Sequence, residues 1–229
     1  MITLQNLTKQ YQRTVVLDVP ALEIPAGQRF GLVGNNGAGK TTLFSLLLGL
    51  IKASSGEVLS EGLNVAQSEA WKSYTGAFLD ESFLIGFLTP EEYFQFVGKL
   101  YGMNASDVTE FLGHFEAFFN GEILNRGKYV RDMSKGNQKK IGIAAALMGS
   151  PRVIILDEPF ANLDPSSQIR LKKIIRELER DRAILISSHD LAHVTEVCER
   201  IVVLEKGKII RDIRASEDTL RELERYFAA

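Results

Sequence analysis

Apolar and polar positions alternate between two textures along the chain. Val15-Val16-Leu17 and Ala21-Leu22-Glu23-Ile24 are short β-branched or alternating segments, separated by Pro20 and closed by Pro25-Ala26-Gly27, which predicts strands and hairpins. Arg29-Phe30-Gly31-Leu32-Val33 is an apolar run leading straight into a glycine-rich loop, and leucine-rich residues 42–50 predict a helix behind it. Helix signals dominate residues 83–150. Thr89-Pro90-Glu91-Glu92 predicts a helix start, with Thr89 as N-cap, Pro90 in the first turn and Glu92 placed to complete a capping box. A further helix is predicted over residues 106–119, because Phe111, Phe115 and Phe118 fall on one face. From residue 151 the strand texture returns. Val153-Ile154-Ile155-Leu156 and Ala183-Ile184-Leu185-Ile186 are continuous apolar runs, as expected of strands covered on both faces. Residues 169–180 read as an amphipathic helix between them, and strands at 201–204 and 209–213 flank a Lys206-Gly207 turn. Strands interleaved with helices predict an α/β fold with a mostly parallel sheet and an inserted helical lobe.

Composition narrows the class. The 229 residues are 45% apolar and 24% charged, which fits a soluble globular chain and excludes a disordered or collagen-like one. Lys plus Arg is 27 against 29 for Asp plus Glu, without a basic stripe, so no nucleic-acid partner is expected. The single cysteine, Cys198, excludes an internal disulfide or a cysteine-based zinc site, and a buried thiol is expected. With neither a membrane-length apolar run nor a signal-like N-terminus, a cytosolic domain is expected.

The strongest chemical signal is Gly34-Asn35-Asn36-Gly37-Ala38-Gly39-Lys40-Thr41, which fits G-x-x-x-x-G-K-[ST] between a predicted strand and a predicted helix. Glycines let successive N–H groups turn inward as an anion nest at a helix N-terminus. Lys40 adds a full charge for the terminal phosphates, and the Thr41 hydroxyl suits Mg²⁺. Asp157 and Glu158 follow the apolar run at 153–156 directly. An aspartate there suits Mg²⁺ through its water shell, and the adjacent glutamate suits activation of a water. His114 and His193 match no motif and read as ordinary surface or core histidines.

Over essentially its whole length the chain resembles the ATP-binding cassette (ABC) family, a P-loop NTPase core with an N-terminal antiparallel β subdomain and an inserted α-helical subdomain. Met133-Ser134-Lys135-Gly136-Asn137-Gln138 resembles the family signature, Leu156-Asp157-Glu158-Pro159 its Walker B segment, Ala161-Asn162-Leu163-Asp164 its D-loop, and Ser187-Ser188-His189 its H-loop. Five motifs in the right order carry the resemblance. It implies one cassette over residues 1–229: an α/β core at 1–79 and 151–213, a helical subdomain at 80–150 and a C-terminal helix at 214–229. It also implies ATP and Mg²⁺, with Lys40, Glu158 and His189 catalytic, His189 placing both Glu158 and the water. Gly34 through Thr42 would hold the phosphates, and Tyr11 would stack on adenine with Val16 beside the ribose. Ser134, Lys135, Gly136, Asn137, Gln138 and Asp164 would act on the nucleotide of a partner cassette, so two ATP molecules lie head-to-tail in a homodimer or heterodimer. Thr41 and Asp157 would face the metal, joined by Asp80 where the family has its Q-loop glutamine.

Two departures bear on mechanism. Lys135 replaces the first signature glycine; it either strengthens the ATP sandwich or points into solvent. Asp80 is shorter than glutamine and charged, with Glu81 as the alternative for its role. The leading reading is a transport ATPase on the inner face of the cell membrane, powering a separate permease, of an exporter-type branch. A non-transport ABC ATPase and a P-loop phosphotransferase are the other readings. Nine phenylalanines between Phe78 and Phe119 include Phe83 and Phe87, which precede the Thr89 cap and have no helical period. Those two are expected to form an exposed permease-docking patch.

Overall fold

Both continuous apolar runs become strands at one end of a ten-stranded sheet, and their burial explains their composition. The computed structural model describes residues 1–228. The sheet runs in the order β5 (Leu63–Asn64), β4 (Ser55–Ser60), β1 (Ile2–Tyr11), β2 (Thr14–Ile24), β10 (Lys208–Arg214), β9 (Arg200–Glu205), β3 (Arg29–Val33), β8 (Ala183–Ser188), β7 (Val153–Leu156) and β6 (Thr75–Phe78). From β9 to β6 every neighbour is parallel, whereas β1 pairs antiparallel with both β2 and β4. The predicted parallel core and N-terminal antiparallel part thus share one sheet.

Successive strand residues serve opposite layers. Val153 and Ile155 pack with Leu185, Val202 and the α1 (Lys40–Leu47) residues Leu43 and Phe44. Ile154 and Leu156 face the other way, toward Leu171 and Ile175 of α6 (Pro165–Glu177), Val194 of α7 (Leu191–Val197) and Leu223 of α8 (Thr219–Ala228). All four β7 side chains are buried, and truncating such a residue to alanine costs roughly 2–5 kcal/mol.

The helical lobe contains α2 (Pro90–Leu100), α3 (Ala105–Gly113), α4 (Glu116–Phe119) and α5 (Lys135–Ala146). The capping box forms as predicted: the Glu92 N–H donates to Thr89 Oγ1 at 3.3 Å and the Thr89 N–H to Glu92 Oε2 at 2.8 Å. The helix expected over 106–119 is instead two helices. It begins earlier, on an Asn104–Asp107 capping box, and breaks at His114. Phe115 leaves helical geometry there (φ −101°, ψ 1°), and its ring stacks on Phe119 at 5.8 Å within the lobe core. Phe119 in turn packs on Phe94 of α2, with ring centroids 5.8 Å apart, so the lobe core and not the periodicity sets the break.

Other boundaries also shift. The two strands expected on either side of Pro20 are one strand, β2, with Pro20 opposite the left-handed Asn6 (φ 46°), between the paired residues Val19 and Ala21. Along the other edge, β10 pairs with β2 only at Asp18, so Pro20 removes no ladder donor there. The helix α1 spans Lys40–Leu47, not 42–50, and α6 starts at Pro165 behind the Asp164 N-cap, ahead of the expected 169. The Lys206-Gly207 turn joins β9 to β10 as expected, with φ of 47° and 78°. In the C-terminal segment α8 covers Thr219–Ala228; Ala229 lies outside the described residues.

Candidate active site

The phosphate loop closes between β3 and α1 as its glycines dictate. Gly39 is the α1 N-cap at φ 107°, a region L side chains rarely enter, and a Cβ there would lie 3.1 Å from the Val16 carbonyl. A pocket of about 290 Å³ is lined by Tyr11, Val16, residues 36–42 and Glu158. The structure therefore brings the aromatic β1 residue, the β2 valine, the loop and the acid to one cavity. Tyr11 is half exposed, with the Lys9 ammonium 4.7 Å from its ring centroid. Gly34 is buried beneath the loop and Asn35 is exposed on it.

Glu158 sits between two cationic or ionisable groups. Lys40 Nζ, only 6% exposed, is 3.2 Å from Glu158 Oε1 and donates to the Gly34 carbonyl at 2.7 Å. His189 Nδ1 lies 2.9 Å from Glu158 Oε2. Glu158 has φ 46°, left-handed for an L residue, at a cost of about 1–2 kcal/mol. The conformation holds because its N–H donates to Ser187 Oγ at 2.9 Å and its carbonyl accepts from Lys139 Nζ at 2.9 Å. Sequence reasoning passed over both Ser187 and Lys139. The H-loop triplet contained Ser187, but nothing in the order of residues shows which strand end it faces.

Asp157 is buried, and its carboxylate accepts from Thr41 Oγ1 at 2.5 Å and from the Ser187 hydroxyl. Burial pushes its carboxyl above the ordinary value, against these two hydrogen bonds. A hydroxyl and a carboxylate converging at the loop are hard oxygen donors, the set that suits Mg²⁺ alongside substrate phosphates. Among the described residues no cluster of three or more His, Cys, Asp or Glu could hold a metal by itself.

Not every expected site residue joins this cavity. Asp80 does not line it: its carboxylate accepts the Ser82 N–H at 2.8 Å, and the Ser82 side chain, with that N–H, holds its pKa below the ordinary range. The expectation that Asp80 faces the metal therefore gains no support from its geometry, because a local turn already uses the side chain. Glu81 points inward instead, with Oε1 3.6 Å from Lys139 Nζ. Ser134 caps α5, Lys135 is exposed, and Gly136 and Asn137 are half-buried. A Cβ at Gly136 would lie 2.9 Å from the Asn162 carbonyl, so the signature rests on the D-loop of its own chain. None of residues 134–138, nor Asp164, lines the phosphate-loop pocket. Gln138, expected to act in trans, is buried in its own chain, and its amide donates to the Met133 and Arg131 carbonyls at 2.9 and 3.3 Å. Asp164 caps α6 and is held well below the usual carboxylate range by Ser166 and Ser167.

The remaining expectations concern residues outside the site. His193 lies tilted against Phe160, ring centroids 4.7 Å apart, and burial lowers its pKa, while His114 is exposed at the end of α3. Cys198 is buried, which pushes its thiol up and leaves it unreactive.

The family model described as ABC transporter matches residues 17–161. The chain is 35% identical to the ABC transporter ATP-binding protein YhaQ of Bacillus subtilis, over 99% of this chain and 74% of that protein. It is 33% identical to the bacitracin transport ATP-binding protein BcrA of Enterococcus faecalis, over 95% of this chain and 70% of that one. It is 32% identical to the lantibiotic transport ATP-binding protein SrtF of Streptococcus pyogenes, over 99% and 96%. A solved ATP-binding subunit of an ABC transporter superposes with a TM-score of 0.84 at 27% identity, covering 100% of this chain and 93% of that one. The chain therefore belongs to the ABC transporter family, as an ATP-binding and ATP-hydrolysing subunit.

Proposed function

We propose that the chain hydrolyses ATP as one half of a head-to-tail pair of cassettes and so powers a separate membrane permease, with export as the direction. One observation carries the hydrolytic part: Glu158 is held between Lys40 and His189, beside the Asp157–Thr41 pair. A nucleotide's terminal phosphates compete with Glu158 for the Lys40 ammonium. Release of Lys40 frees Glu158 Oε1 to accept the proton of an attacking water, while His189 steadies Oε2. Thr41 and Asp157 would hold Mg²⁺, which would supply positive charge to offset that of the nucleotide's phosphates. A proton acceptor poised at the phosphate loop favours water over a small-molecule phosphate acceptor. Purified chain given ATP and Mg²⁺ should release inorganic phosphate; ADP formation with a phosphorylated acceptor and no free phosphate contradicts the reading.

Pairing is supported by the exposed start of the signature, Ser134 and Lys135, which lies outside the chain's own pocket. The Ser134 cap and the following N–H groups form a helix N-terminus, where a phosphate is favoured. The relatives named for bacitracin and lantibiotic transport, with the Ser134-Lys135-Gly136 signature, support the exporter branch. Among the described residues no helix is long and apolar enough to cross a membrane, so the proposed membrane attachment runs through the permease.

The docking face is proposed where the helical lobe meets the core. An apolar groove of about 360 Å³ is lined there by Leu48, Leu50, Phe83, Leu84, Tyr93 and Val97. Phe83 and Phe87 are 62% and 67% exposed, against full burial of Phe94, Phe118 and Phe119 in the lobe core. Replacing Phe83 and Phe87 together with serine should spare folding and basal hydrolysis but weaken co-purification with the permease. An unfolded double variant, or unchanged co-purification, places the docking site elsewhere.

A further inference from the structure

Lys139 is a lysine at a junction of three segments. It projects from α5, is only 5% exposed, and donates through Nζ to the Glu158 carbonyl at 2.9 Å. Glu81 Oε1, also buried and without a hydrogen-bond partner among the described residues, lies 3.6 Å from the same nitrogen. The Phe78 ring centroid is 5.8 Å away. Burying an ammonium among such groups is costly unless it is paired and hydrogen-bonded. Its partners here are an acid at the start of the helical lobe and the backbone of the proposed base.

The consequence falls on Glu158. Its left-handed backbone aims the carboxylate at Lys40 and His189, and that conformation is unfavourable for an L residue. Ser187 Oγ fixes the peptide group before Glu158, and Lys139 fixes the one after it. Loss of either bond lets the backbone relax and turns the carboxylate away. We propose that Lys139 is a positioning residue for Glu158, held in place by Glu81. The inference rests on Glu158 as the base, and it gives Glu81, rather than Asp80, the role at this end of the lobe.

Two double variants separate positioning from a merely structural ion pair. Lys139→Gln with Glu81→Gln, and Lys139→Met with Glu81→Gln, both remove the buried charges together, so neither strands an unpaired ion. Only the glutamine retains an N–H donor for the Glu158 carbonyl. The glutamine pair should keep kcat for phosphate release within about threefold, and the methionine pair should lose about tenfold to a hundredfold in kcat at unchanged KM. Equal kcat values for the two pairs overturn the proposal. In a Glu158→Gln background the methionine substitution should add no further loss, since both act through one carboxylate. A full further loss there overturns it too. Should the methionine pair fail to fold, Glu81→Gln alone gives the reading: a severalfold lower kcat at unchanged KM supports the proposal, and an unchanged kcat refutes it. A normal rate for Glu158→Gln alone is a separate result that sinks the base assignment itself.

Discussion

Glu158→Gln is expected to slow phosphate release by about 10²-fold or more while ATP binding persists. The amide keeps the size and shape of the side chain, and it can still reach His189 Nδ1, now 2.9 Å from Oε2. It cannot take up a proton at neutral pH. Lys40, the loop amides and the Thr41–Asp157 pair that would hold the nucleotide are untouched. A pair of chains that closes on ATP should then stay closed. Gel filtration with ATP and Mg²⁺ should show a dimer-sized species for the variant. Hydrolysis at the unaltered rate means that another group takes the proton.

Ser134→Arg is expected to abolish turnover while each chain still binds nucleotide through Lys40. Ser134 Oγ accepts the Asn137 N–H at 3.2 Å, so its loss as an N-cap costs only about 1 kcal/mol of local stability. The larger effect is steric. An arginine at the exposed start of α5 occupies the place where a partner's γ-phosphate would meet the helix N-terminus. Nucleotide affinity of the isolated chain, measured by fluorescence titration, should be unchanged. A variant that retains turnover shows that the signature does not face a phosphate.

How far the sequence foretold these arrangements depends on the range of the interaction. Val153–Leu156 was legible because burial on both faces leaves no polar position to confuse its period. The phosphate loop was legible because its spacing encodes local backbone geometry, and the Thr89 cap because both partners lie within four residues. Failures arose where distant segments decide. Pro20 stays in β2 because no ladder bond is asked of it: it lies opposite the left-handed Asn6, on another strand, between the paired residues Val19 and Ala21. The break at His114 lies where Phe115 and Phe119 enter a core shared with Phe94 of α2, against a spacing that favours one helix. The early start of α6 was available in the Asp164-Pro165 pair, a cap followed by a first-turn proline. Ser187 and Lys139 carried no readable signal, since their contacts to Glu158 span 29 and 19 residues. For the same reason, spacing did not distinguish an outward Asp80 from an inward Glu81.

In the proposed pair, each complete site combines the phosphate loop of one chain with the signature of another. Mixing equal amounts of Ser134→Arg and Lys40→Ala chains tests that arrangement most directly. Each parent lacks one half of every site, so each should be inactive alone. Head-to-tail pairing gives a mixed dimer with one intact phosphate loop opposite one intact signature. The two chains should associate when ATP and Mg²⁺ are added, and phosphate release should reappear in the mixture. A mixture as inactive as its parents, with no association between the two chains, contradicts it.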